Sequence, residues 1–251
     1  MAFILLPLLF FLISLIYSSA GFGGGSMYLA ILSGAIFTIV LPQGEIKTLA
    51  LLCNAAVATY SSIQFIRNKF IDWKPNILLL AFSIPFVLWA TQIKLEEKVF
   101  LLFLSIGLLL SALFMLLPLI VKMNDPISFN KKLLWPFSAA IGFISGLTGI
   151  GGGVYLSPFL YFSKWGEEKK IAATTSLFIA INSWVALIPM LGQSHNLLLE
   201  HSTYYLIIAV VSGAVFGNFT ALKFLPKNGI RLITIGILLY AGIRLLLRSL
   251  W

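Results

Sequence analysis

The chemistry available inside the apolar stretches of this chain is that of neutral hydrogen-bond donors and bare backbone. Two glycine runs, Gly-Phe-Gly-Gly-Gly at 21–25 and Gly-Ile-Gly-Gly-Gly at 149–153, interrupt long apolar segments and lie 128 positions apart. Ser18, Ser19 and Ser26 surround the first run, and Thr148 and Ser157 the second. The segment after each run carries a polar stripe. Lys47, Ala50, Asn54, Ala58 and Ser61 share one helical face, as do Thr175, Asn182 and Ala186 in the other half. Asn54 and Asn182 recur at the same 128-residue offset. A helix that restarts after Gly25 or Gly153 presents unpaired N–H groups and partial positive charge, an arrangement that binds anions. The candidate substrate-binding set is therefore Gly23, Gly24, Gly25, Ser26 and Asn54 with Thr148, Gly151, Gly152, Gly153, Thr175, Ser176 and Asn182. The competing reading is helix packing through small and polar residues, and Gly213 and Gly217, four apart, are assigned to it.

Other chemistries find no residues. The eight acids (Glu45, Asp72, Glu96, Glu97, Asp125, Glu167, Glu168 and Glu200) fall in expected loops or at span ends, as do His195 and His201. That leaves no carboxylate relay at mid-membrane and no oxygen cage for a cation. His, Cys and Asp lack metal-ligand spacing, and there is no Gly-x-Ser-x-Gly elbow or His-Glu-x-x-His. The chain is expected to have no catalytic residues, metal or cofactor, and not to be an enzyme. Neither glycine run is followed by Lys-Ser/Thr, which argues against a phosphate loop.

Composition says what must hold these residues. With 60% hydrophobic and 10% charged residues, the chain is sized by a lipid bilayer and reads as a polytopic membrane protein. Its net charge of +9 is assigned to orienting loops and not to nucleic acid. The lone Cys53 excludes an intrachain disulfide and reads as a small buried residue. Residues 1–20 carry no Lys or Arg and read as a structural helix, not a signal peptide.

Apolar segments at 2–20, 26–41, 47–66, 75–93, 99–121, 133–148, 154–162, 171–191, 203–222 and 230–247 give an all-α fold of two repeats. Each repeat is expected to be a glycine-broken or re-entrant hairpin followed by three spans. The boundaries are 1–121 for the first membrane repeat, 122–132 for a cytoplasmic linker and 133–251 for the second repeat. Three spans per repeat are an odd number, so the halves should have inverted topology. Charge agrees: 67–74, 122–132, 163–170 and 223–231 each hold three basic residues, whereas 192–202 holds none. Counting the four basic stretches as cytoplasmic places both termini outside, with Lys47, Lys94, Lys98, Arg244 and Arg248 at or near the outer surface.

The motifs Gly-Phe-Gly-Gly-Gly-Ser and Gly-Ile-Gly-Gly-Gly-Val-Tyr-Leu-Ser-Pro, with Ala173-Thr174-Thr175-Ser176, resemble the TauE/SafE sulfite exporter (TSUP) family over nearly the whole chain. The first half departs from the pattern in having Ala30 where the second has Pro158, and Leu-Cys-Asn where a Thr/Ser run is expected. The resemblance implies a cytoplasmic-membrane secondary transporter, often an exporter, whose partner is a small anionic sulfur compound such as sulfite, thiosulfate or an organosulfonate. An anion channel and a non-transporting membrane scaffold or assembly factor are the alternatives.

Overall fold

A computed structural model describes residues 2–19, 21–33, 43–120, 133–163, 165–191, 201–221 and 227–250. All regular structure among them is helical. The helices are α1 (Ala2–Ser19), α2 (Gly25–Leu32), α3 (Gln43–Arg67), α4 (Trp73–Thr91) and α5 (Glu97–Ile120), then α6 (Leu134–Thr148), α7 (Gly153–Phe162), α8 (Glu168–Leu191), α9 (His201–Ala221) and α10 (Lys227–Leu250). The expected linker 122–132, His195 and Glu200 lie outside the described residues. Within the apolar run 26–41, α2 ends at Leu32, and residues 34–41 lie outside the described residues.

Glycine ends the first helix of each half. At Gly21 (φ 78°) the Phe22 amide reaches back to the Tyr17 carbonyl and the Gly21 amide to that of Ser18, a Schellman ending. At Gly149 (φ 77°) a single bond to the Ser145 carbonyl, 2.7 Å, does the same work. The chain then folds back. Phe10 stacks on Tyr28 at 4.6 Å between centroids, and Phe137 meets Phe159 at the same distance, so α1–α2 and α6–α7 are hairpins with aromatic clamps. The returning arms have 8 and 10 residues. They rise only about 12–15 Å, roughly half the hydrocarbon thickness.

Packing partners are exchanged between the halves. α1 lies along α9, and α6 along α4, while α3 packs on α8 and α5 on α10. The α1–α9 contact runs parallel, with Ser14 Oγ donating to the Val210 carbonyl and Ser18 Oγ to that of Ala214. The α6–α4 contact is also parallel: Ser138 donates to Leu79, Gly142 sits against Ser83 and Gly146 against Val87. Gly213 and Gly217 press on the α1 backbone at Phe11 and Leu15, the close packing expected of that pair. α3 and α8 cross antiparallel: Leu51 packs with Leu187, Asn54 bonds Ser183, and Ala58 packs with Ala180.

The polar face is inside and the apolar face outside. Lys47, Ala50, Asn54, Ala58 and Ser61 are all buried, whereas Trp73, Ile77 and Trp89 of α4 and Tyr205, Ile208 and Phe219 of α9 are exposed. Large apolar side chains over an outer surface suit lipid, and the α4 tryptophans mark the ends of the apolar band. Among the described residues, Gly44–Arg67, Trp73–Thr91 and Lys169–Leu191 are long and apolar enough to cross a membrane. Stretches within α1, α6 and α9 are apolar but shorter, so the six expected full spans are met in three cases by this measure.

Candidate functional site

The two glycine breaks meet at the α3–α8 crossing, and one side chain ties them. Asn54 Oδ1 accepts the Gly25 amide at 2.9 Å, capping the start of α2. Its Nδ2 donates to the Ile150 carbonyl at 3.2 Å and to Ser183 Oγ at 2.9 Å. Space around it is closed, since a Cβ at Gly25 would lie 2.7 Å from Asn54 Cγ and one at Gly151 2.6 Å from Ser183 Oγ. Asn54 is thus fully engaged in holding the breaks together.

Asn182, its repeat counterpart, is placed differently. Its Oδ1 accepts from Ser83 Oγ of α4 at 3.0 Å, and its Nδ2 is buried without a partner. The two asparagines, which recur at one offset in the sequence, therefore have different partners. Gly153 consequently lacks the side-chain cap that Gly25 has. The start of α7 is the uncapped end of the pair, and the Ile179 side chain packs against Gly153.

Unpartnered buried hydroxyls border that end. Thr175 Oγ1 and Ser145 Oγ have no hydrogen-bond partner. A Cβ at Gly153 would come within 2.9 Å of Thr175 Cγ2, and one at Gly152 (φ 78°) within 3.2 Å of Ser145 Cβ. Thr175 and Asn182 lie two turns apart on one face of α8. At the first break Ser26 Oγ and the Tyr17 hydroxyl lie side by side, neither completing a bond of good geometry. Unpaired buried donors are costly, so their gathering at two helix starts needs a reason.

Two other expected site hydroxyls are engaged. Thr148 Oγ1 bonds back to the Ile144 carbonyl at 2.7 Å, and Ser176 Oγ reaches the Gly21 and Ala172 carbonyls at 2.8 Å, linking α8 to the first break. Sequence reasoning passed over Ser145 and Tyr17. Both occupy the last turn before a break and correspond at the 128-residue offset, the signal that could have found them. It also left out Ser83 and Ser183, the hydroxyls that sort the two asparagines.

The electrostatics are one-sided. Among the described residues the buried charged side chain is Lys47, 6% exposed, and no acid is buried. The sequence places Lys47 at or near the outer surface of the membrane; within the protein its side chain is buried. Its four-carbon stem runs along the second break, 3.6 Å from the Cβ position of Gly149, and its ammonium lies 4.7 Å from the Phe100 ring centroid. No His, Cys, Asp and Glu grouping suited to a metal occurs among the described residues.

Ion pairs show which chain ends lie together. Lys170 Nζ bonds Asp72 Oδ2 at 3.1 Å, joining the start of α8 to the start of α4. Arg248 bonds Glu97 at 3.3 Å and the Ser33 carbonyl, joining the ends of α10 and α2 to the start of α5.

Comparison with known proteins places the chain among membrane transporters. The sequence profile of the family described as "Sulfite exporter TauE/SafE" matches residues 6–245. The chain is 31% identical to "Probable membrane transporter protein y4hK" of Sinorhizobium fredii, over 96% of this chain and 97% of that protein. It is 26% identical to "Probable membrane transporter protein YunE" of Bacillus subtilis, over 87% and 86%. It is also 28% identical to a probable membrane transporter of Methanocaldococcus jannaschii, over 69% and 68%. No solved structure matches the chain.

Proposed function

The chain belongs to the TauE/SafE sulfite exporter family of membrane transporters, and from that premise we propose a secondary transporter of small sulfur-containing anions such as sulfite, thiosulfate or organosulfonates. It works by alternating access in the cell membrane, as an exporter, without catalysing a reaction. The observation that carries this reading is that Thr175 and Ser145, buried hydroxyls without partners, lie beside Gly153 and Gly152 at the uncapped start of α7, with no buried acid among the described residues. An oxyanion there would take hydrogen bonds from Thr175, Ser145, the Asn182 amide and the first amides of α7, whose helix end favours negative charge. Hydrogen bonds to a charged acceptor contribute roughly 1.5–3 kcal/mol each, so three suffice for a site of useful affinity.

The halves, 1–121 and 133–251, are proposed to be inverted repeats joined by a cytoplasmic linker, with both termini outside. The antiparallel crossing of the counterpart helices α3 and α8 supports inversion, as does the exchange of partners between α1–α9 and α6–α4. Paired broken helices of that kind mark the substrate site of many transporters. The test is thermal stability of the purified protein with sulfite, thiosulfate, sulfate, sulfoacetate and taurine. At least one sulfur oxyanion should stabilise the protein, and Thr175→Val should abolish that gain. No stabilisation by any of them would count against the reading.

A further inference from the structure

A cavity of about 420 Å³ opens between the starts of α3 and the ends of α4 and α8, lined among others by Lys47, Thr48, Thr91, Gln92 and Lys94. Among the described residues its lining holds two cations and no acid. Glu45, one turn from Thr48, and Glu96, beyond Leu95, do not line it, and Glu97 is held by Arg248 at 3.3 Å. Lys47 is the feature that needs explaining. Its side chain is buried, and no carboxylate lies within ion-pair distance of it among the described residues. The Phe100 ring offsets part of the desolvation, but a buried ammonium ordinarily has a counter-charge.

Position supplies the reason. The stem of Lys47, which lines the cavity, also lies against Gly149, so one side chain joins the cavity to the second glycine break. Lys47 is also the repeat counterpart of Thr175, 128 residues on. One half thus carries an amine where the other carries a neutral hydroxyl. We propose that this cavity is an anion vestibule in which Lys47, helped by Lys94, draws a small oxyanion from one face of the membrane toward the start of α7. The inference rests on the anion-transport reading and adds a residue and a side to it. Two like charges around a partly enclosed, low-dielectric space raise the local anion concentration.

The test reads charge without needing the transported anion. In a Cys53→Ala background, Gln92→Cys is modified by methanethiosulfonates carrying either a sulfonate or a trimethylammonium group. Relative to a small free thiol, the anionic reagent should be favoured by about fivefold or more. Lys47→Met should bring that preference to within about twofold, and Lys47→Arg should keep it. No preference at Gln92→Cys, or a preference that survives Lys47→Met, would overturn the proposal. If Lys47→Met fails to fold, Lys94→Met is read instead and must lower the preference, as the second vestibule cation. Thr175→Val should leave the preference unchanged even where it abolishes anion stabilisation, so failure of the site and failure of the vestibule give different results.

Discussion

Replacing Asn54 by Ala should destabilise the protein far more than the same change at Asn182, although sequence presents the two as equals. Asn54→Ala strips the acceptor from the Gly25 amide and the donor from the Ile150 carbonyl, both buried at the crossing of the breaks. Each backbone group left unpaired costs about 1–3 kcal/mol, giving a loss of about 2–6 kcal/mol for the two. The hydroxyl of Ser183 can rotate and adds little. For a chain of this size, roughly 2–4 °C per kcal/mol converts that loss to a fall of roughly 4–24 °C in melting temperature. Asn182→Ala removes only the acceptor of a Ser83 hydroxyl that can turn to its own helix, and it deletes a donor that had no partner. Its stability cost should stay under about 1 kcal/mol, while anion affinity should fall about ten- to a hundredfold. The assay is thermal unfolding at one fixed scan rate in one detergent, with anion titration of each variant. Equal melting temperatures for the two alanine variants, or an unchanged anion affinity in Asn182→Ala, would refute the division of labour drawn from the hydrogen bonds.

Gly152→Leu should abolish transport while membrane insertion persists. Its φ of 78° disfavours any L side chain by about 1–2 kcal/mol, and its Cβ would meet Phe178 at 3.0 Å and Ile141 at 3.1 Å beside the unpartnered Ser145. Wild-type transport rates in this variant would remove the second break from the site. For topology, cysteines replacing Asn68 and Glu167 in a Cys53→Ala background should label from the cytoplasmic side only, and one replacing Glu96 from outside only. The Lys170–Asp72 ion pair already places the first two regions together. Labelling of positions 68 and 96 from the same face would reject the proposed topology.

Sequence exposed the parts of this molecule that depend on local chemistry. The glycine runs end α1 and α6 where left-handed residues are needed, and the three-to-four stripe from Lys47 to Ser61 is the buried face of α3. The close glycine pair on α9 was equally visible, because packing without a side chain leaves a spacing. What sequence could not show was set by residues arriving from other helices. Asn182 turns to Ser83 of α4, whereas the counterpart of Ser83 is Val211 of α9, which offers Asn54 no hydroxyl. Identical residues at one repeat offset thus part company, one becoming a tie between the breaks and the other keeping a free donor. The burial of Lys47 was hidden for the same reason, since hydropathy assigns a lysine near a helix start to the surface and cannot see the Phe100 ring that covers it.

The most direct test of anion carriage through the breaks is counterflow in proteoliposomes. Vesicles containing the purified protein are loaded with unlabelled sulfite, thiosulfate or sulfoacetate and diluted into a trace of the same anion carrying a radiolabel. A carrier working by alternating access should accumulate label transiently above equilibrium for at least one of the three, and Gly152→Leu should show none. Simple equilibration without overshoot, or no protein-dependent uptake of any of them, would contradict the account.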